Sequence, residues 1–221
     1  MSQLREHIER HPSETTRLLG LDYDQLIGLI THAENLYNQQ KKVQDNSKIR
    51  IIKGGGGRPP KLEISAQILL TLVYLHHLPT FQMLGVQFGV SESAANYIFH
   101  KWIKIFRELL PASLLEQVKK NDSEWQWILE ILSEFELIVD SYEQPIERPT
   151  DYKKQKKTDA QKKANKQKAR KRIVVEHMIR LVKIFRVAAE RFRLKSGNYE
   201  PVILVVCGLI RWRIGAIVIC Q

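Results

Sequence analysis

The stretch TFQMLGVQFGVSESAANYIFHKW, Thr80 to Trp102, decides how the chain is read. Thr80 precedes a short run, Phe81 to Phe88, and is a residue type that caps a helix by accepting a backbone N–H. Gly89 stands where a helix C-cap needs a positive φ, and Ser91 can cap a second helix, Glu92 to about Leu110. In that helix Ala95, Ile98, Trp102 and Ile105 recur at inward spacing, leaving Ser93, Asn96, Tyr97, His100, Lys101 and Lys104 outside. A short helix, a Gly-Val-Ser turn and a longer helix with a polar, partly basic outer face form the helix-turn-helix pattern. The alternative is a helical hairpin inside an ordinary bundle. On the DNA-binding reading Asn96 can read an adenine edge, Ser93 and His100 can donate to bases, and Lys101 and Lys104 can hold phosphates. Ser91 and Tyr97 belong to the same candidate surface.

Upstream, Gly54 to Pro60 reads GGGGRPP, a boundary that glycine entropy and proline geometry both impose. Just inside the next unit, Arg58 and Lys61 can reach phosphate or a minor groove, or can be solvated linker charges. Ile64, Ile68, Leu72 and Leu75 then mark a helix, with Leu69 and Val73 beside that face and Pro79 as its stop. Before the boundary, Asp22 and Gln25 have capping-box spacing and open a predicted amphipathic helix, about Tyr23 to Lys42.

Charge is concentrated downstream. The run KKQKKTDAQKKANKQKARKR, Lys153 to Arg172, holds eleven Lys and Arg against one acid, so it carries +10 of a formal net +11. Residues 1–152 carry 16 basic and 20 acidic side chains, which confines the basic character to the run and the residues C-terminal to it. Such a block is solvated and attracts polyanions. Cys207 and Cys220 have no metal-ligand spacing and read as reduced core thiols. The apolar stretch from Pro201 to Cys220 contains Arg211 and Arg213, each costing about 2.5–3.5 kcal/mol at a bilayer centre, so a buried helix is expected rather than a membrane span. With no secretory signal, a cytoplasmic location is expected.

Two further stretches carry candidate chemistry. In LIVDSYEQPIERP, the apolar run Leu137 to Val139 reads as a strand ending in Asp140, which as an isolated signal is better explained by a turn cap than by a ligand. In RKRIVVEHMIRLVKIFR, Arg172, Glu176, Arg180 and Lys183 share a helical face, and the plain reading is an exposed face with paired charges.

The helix-turn-helix, LIVDSYEQPIERP and RKRIVVEHMIRLVKIFR together resemble the DDE transposases of bacterial insertion sequences, especially a cyanobacterial type. That family ends in Tyr, two residues, Arg, three residues, Glu, six residues and Lys. Here Arg172, Glu176 and Lys183 keep the spacing, and Ala169 stands where Tyr belongs. The resemblance covers nearly all of residues 62–221. It implies that Asp140 and Glu176 are the first and last catalytic carboxylates and Mg²⁺ ligands, that Arg172 and Lys183 contact substrate DNA, and that the catalytic fold is RNase H-like.

It also requires a middle Asp. Only 35 residues separate Asp140 from Glu176, with no further strand-like run, too few for a sheet of several strands at about 5–6 residues each. The expected fold is therefore mainly α: an N-terminal helical region and Gly-rich linker (1–57), a helix-turn-helix domain (58–112), and an incomplete RNase H-like DDE domain. That last domain divides into a start (113–152), a basic junction of the deletion (153–172) and C-terminal helices (173–221). The expected function is transposition by family, in a defective, internally deleted copy that retains DNA binding but does not bind Mg²⁺ productively. The alternative is a DNA-binding repressor. DNA is the expected partner, at terminal inverted repeats or non-specifically, with no membrane and a possible homo-oligomer. The deletion is expected to have removed part of the sheet that would cover the apolar C-terminal stretch, so low solubility or self-association is expected.

Overall fold

The computed structural model describes residues 3–47, 60–113, 116–117 and 176–217. Among them, helices occur in the order α1 (Gln3–Arg10), α2 (Thr15–Leu19), α3 (Tyr23–Ser47), α4 (Ile64–His77), α5 (Phe81–Phe88), α6 (Glu92–Leu109), α7 (Arg186–Ala189) and α8 (Tyr199–Arg213). Residues 176–183 are also helical, and no strand occurs among the described residues. The expected strand at Leu137 to Val139, Asp140, Arg58 and the basic run with Arg172 lie outside them.

Helix α4 is the axis of the structure. Its sequence ISAQILLTLVYLHH has little polar surface on any side, and every residue from Ser65 to Leu75 is buried. A helix apolar all round must be enclosed by neighbours. Here α2, α3, α5, α6 and α7 surround it, so burial extends well past the single face its leucine spacing suggests. Its one buried amide is bonded through both its nitrogen and its oxygen. Gln67 donates Nε2–H to Leu62 O (2.9 Å), while its Oε1 accepts the Trp102 indole N–H (3.0 Å) and the Lys101 ammonium (3.3 Å). Thr71 donates its hydroxyl to Gln67 O (3.0 Å). These bonds fix the rotation of α6 against α4, because a buried donor left unpaired would lose about 1–3 kcal/mol.

The capping box predicted at α3 forms in both directions. Asp22 Oδ1 accepts the Gln25 N–H at 2.8 Å, and Gln25 Oε1 accepts the Asp22 N–H at 3.2 Å. The helix runs to Ser47, five residues past the expected Lys42, since VQDNS contains neither Gly nor Pro and Val43, Gln44 and Asp45 are exposed. Helix α4 ends at Leu78, whose φ of 51° makes it a left-handed cap, one residue before the Pro79 that excludes further helix. Helices α1 and α2 have no counterpart in the sequence reading. Their turns are short and rest on buried Ile8 and Leu19.

The C-terminal helix α8 closes the module. Val202, Val205, Val206, Leu209 and Ile210 are each at most 2% exposed, and α8 lies against α6. Gly208 marks the closest approach: a Cβ there would stand 2.7 Å from Leu110 Cβ and 2.9 Å from Leu110 O. The arginines that argued against a membrane span tie α8 to the chain after α6 and to the cap of α2. Arg211 donates to Pro111 O (2.9 Å), Ser113 O (2.7 Å) and Gln117 Oε1 (2.7 Å), and Arg213 donates to Gly20 O (2.8 Å). Trp212 Nε1–H reaches Gln25 O (3.0 Å), while Gln25 Nε2–H returns to Arg213 O (2.7 Å). This corrects the expectation of an uncovered apolar helix: α8 has found cover on the helical module, which removes the premise for self-association through that stretch. No described helix is long and apolar enough to cross a membrane.

Candidate nucleic-acid interface

The α5–α6 unit forms residue by residue as its local signals dictate. Thr80 Oγ1 accepts the Met83 N–H (3.2 Å) and Ser91 Oγ accepts the Ala94 N–H (3.2 Å), satisfying an orphan donor at each helix start. Gly89 adopts φ 68°. The Gly89 N–H then reaches Val86 O (3.4 Å) and the Val90 N–H reaches Gly85 O (2.8 Å), the paired bonds of a Schellman end. The turn also presses Val90 O against Gly85, where a Cβ would stand 2.7 Å away. Phe99 anchors the pair from inside, with Tyr74 at 4.4 Å and Phe81 at 5.7 Å between ring centroids.

The predicted outer face of α6 is present but not uniform. Ser91, Ser93, Tyr97 and Lys104 are exposed, with Tyr97 70% exposed, whereas Asn96, His100 and Lys101 are half-buried. The hydroxyl of Ser91 is engaged in capping. Lys101 is turned inward: its ammonium lies 3.9 Å above the Tyr37 ring centroid and bonds Gln67, so it stitches α3 to α6. His100 has its pKa held below the usual value, first by burial and then by the Lys104 charge, so its imidazole is neutral at neutral pH and keeps both a donor and an acceptor.

Around this face, Lys61 is brought to the helix-turn-helix turn, where it lines a cleft with Gln87, Phe88 and Gly89. A wider open groove of about 550 Å³ runs between α3 and the C-terminal half of α6. Tyr37, Gln40, Lys41 and Gln44 form its α3 wall. Helical spacing alone credits Tyr37 to the core and gives the other three no role. Their position on one helical face was the available signal, but only the tertiary fold sets that face opposite α6.

The downstream candidates are partly in view. Glu176 and Lys183 are exposed on helical residues 176–183, and the segment is anchored at Phe185, which packs edge-on to His76 at 6.0 Å. No group of three His, Cys, Asp or Glu side chains able to hold a metal occurs among the described residues, which include Glu176 but not Asp140.

A capped short helix, a left-handed glycine turn and a long helix with a solvent-facing polar stripe define a helix-turn-helix protein. Residues 60–112 match the family described as helix-turn-helix of DDE superfamily endonuclease, and residues 136–211 match the family described as DDE superfamily endonuclease. The two matches support a DDE-type transposase family and imply DNA binding. The second match takes in Asp140, the basic run and Glu176, and extends into α8. No curated protein and no solved structure shows a significant match to the chain.

Proposed function

We propose that the chain is an insertion-sequence transposase that has lost the central part of its DDE domain and keeps a DNA-binding helical module. The observation that carries the DNA-binding part is the α5–α6 unit with both caps made and Ser93, Tyr97 and Lys104 exposed on the second helix. Ser93, Asn96 and His100 would contact bases, while Lys104, Lys61 and Arg58 would contact phosphates. Asp140 and Glu176 are then a catalytic remnant, and Arg172 and Lys183 its former DNA contacts. Loss of the middle carboxylate is supported by the 35 residues between Asp140 and Glu176, which leave no room for the intervening strands. Purified chain should shift a duplex carrying the element's ends and should leave it unnicked with Mg²⁺ or Mn²⁺. Nicking that disappears in Asp140→Asn would overturn the proposed loss of activity.

A second reading, a repressor that occupies DNA ends, is favoured by one observation. The C-terminal helix α8 is packed on α6, which gives such a protein a folded C-terminal end rather than a relic. Repression of a reporter placed behind the bound site, lost in Asn96→Ala, is the outcome that separates it from a non-functional copy.

A further inference from the structure

The groove between α3 and α6 continues the candidate reading face. Ser93, Tyr97, His100 and Lys104 succeed one another at helical spacing, so the stripe that starts on the exposed N-terminal half of α6 runs without a break into the groove. Across it stand Tyr37, Lys41 and Gln44, spaced four and three residues apart on α3. Most arginines of the described residues are engaged: Arg5 with Glu9, Arg107 with Glu116, and Arg186 with Glu190, for example. Lys41 and Lys104 have no carboxylate partner among the described residues, although Glu108 lines the same groove. Gln40 binds Glu108 at 2.5 Å. Two unpaired ammoniums on opposite walls, at the end of a helix face that reads bases, suit the sugar-phosphate strand bordering a major groove. Lys101, pinned over Tyr37, holds the walls in register rather than reaching outward.

We propose that α3 is the second wall of the DNA interface, and that Lys41 with Lys104 clamps one phosphate strand of the duplex beside the recognition helix. This rests on the DNA-binding reading above, and it adds a contact from a helix that lies outside the helix-turn-helix match.

The test is the salt dependence of duplex binding by the full chain, measured by fluorescence anisotropy. Each phosphate neutralised contributes about 0.9 to the slope of log K against log salt. Lys41→Gln should lower the slope by about 0.9 on every duplex, and Lys41→Gln/Lys104→Gln by about twice that. Lys42→Gln removes an equal charge from the next position, outside the groove lining, and should have a clearly smaller effect. Circular dichroism should show Lys41→Gln folded as wild type, since the residue is exposed. Equal losses for Lys41→Gln and Lys42→Gln would overturn the clamp in favour of diffuse attraction. An unchanged slope for Lys41→Gln, while Asn96→Ala still weakens binding, would overturn it and leave the helix-turn-helix reading standing. No effect from Asn96→Ala, Lys104→Gln and Lys41→Gln alike would overturn both.

Discussion

Replacing Gly208 by Ala tests the packing of α8 through the sign of its effect. In a solvated helix interior, Gly→Ala stabilises by about 0.8–1.0 kcal/mol, through propensity alone. In this structure the new methyl would meet Leu110 Cβ at 2.7 Å and the Leu110 carbonyl oxygen at 2.9 Å. The carbonyl belongs to backbone at the end of α6, held close by Arg211 bonded to Pro111 O at 2.9 Å, so it cannot swing away as a side-chain tip would. Overpacking of this kind costs about 1–3 kcal/mol. Set against the propensity gain, the net is a destabilisation of about 1 kcal/mol, or a Tm lowered by about 2–4 °C for a chain of this size. Thermal melting followed at 222 nm reads it directly. Gly197→Ala, with open space around the added carbon, serves as the control and should shift little. A Gly208→Ala chain more stable than wild type would show that α8 does not lie on α6.

Gln67→Leu should lower stability by about 1–3 kcal/mol in urea titrations, because the buried Trp102 indole N–H loses its acceptor. Ser91→Ala removes the cap of α6 and should cost about 0.5–2 kcal/mol by the same measurement, with Ser91→Asn recovering most of it. Burial first, then the charges of His77, Arg213 and Arg186, depress the His76 pKa from 6.5 to about 4. The unfolded chain then binds its proton at higher pH than the folded one, so stability should decline as pH falls from about 6.5 to about 4 and level off below. Urea midpoints across that range should show a shallower decline for His76→Gln than for wild type; parallel profiles would refute the assignment.

What could be read in advance was what is encoded locally. The Asp22–Gln25 box, the Thr80 and Ser91 caps and the left-handed Gly89 each depend on residues a few positions apart, and each forms where the sequence placed it. The full enclosure of α4 is not encoded in its periodicity, which reports a preferred face and not how many neighbours arrive. The seat of α8 was not legible at all, since Gly208 meets Leu110 from almost a hundred residues away and nothing near either residue announces the other. The site shows the same division. The outer face of α6 came from its own spacing, but the inward turn of Lys101 depends on Tyr37, a residue on a different helix.

The bonds between Gln25 and Arg213, and between Arg213 and Gly20, join the end of α8 to the start of α3 and the cap of α2. Leu110 and Gly208 meet at the other end of the same closure. The helices on either side of residues 118–175 are thus held to one another by contacts that do not run through that segment. Cutting the chain within residues 118–175 would leave α6 and α8 joined by their own packing and by the Arg211 bonds.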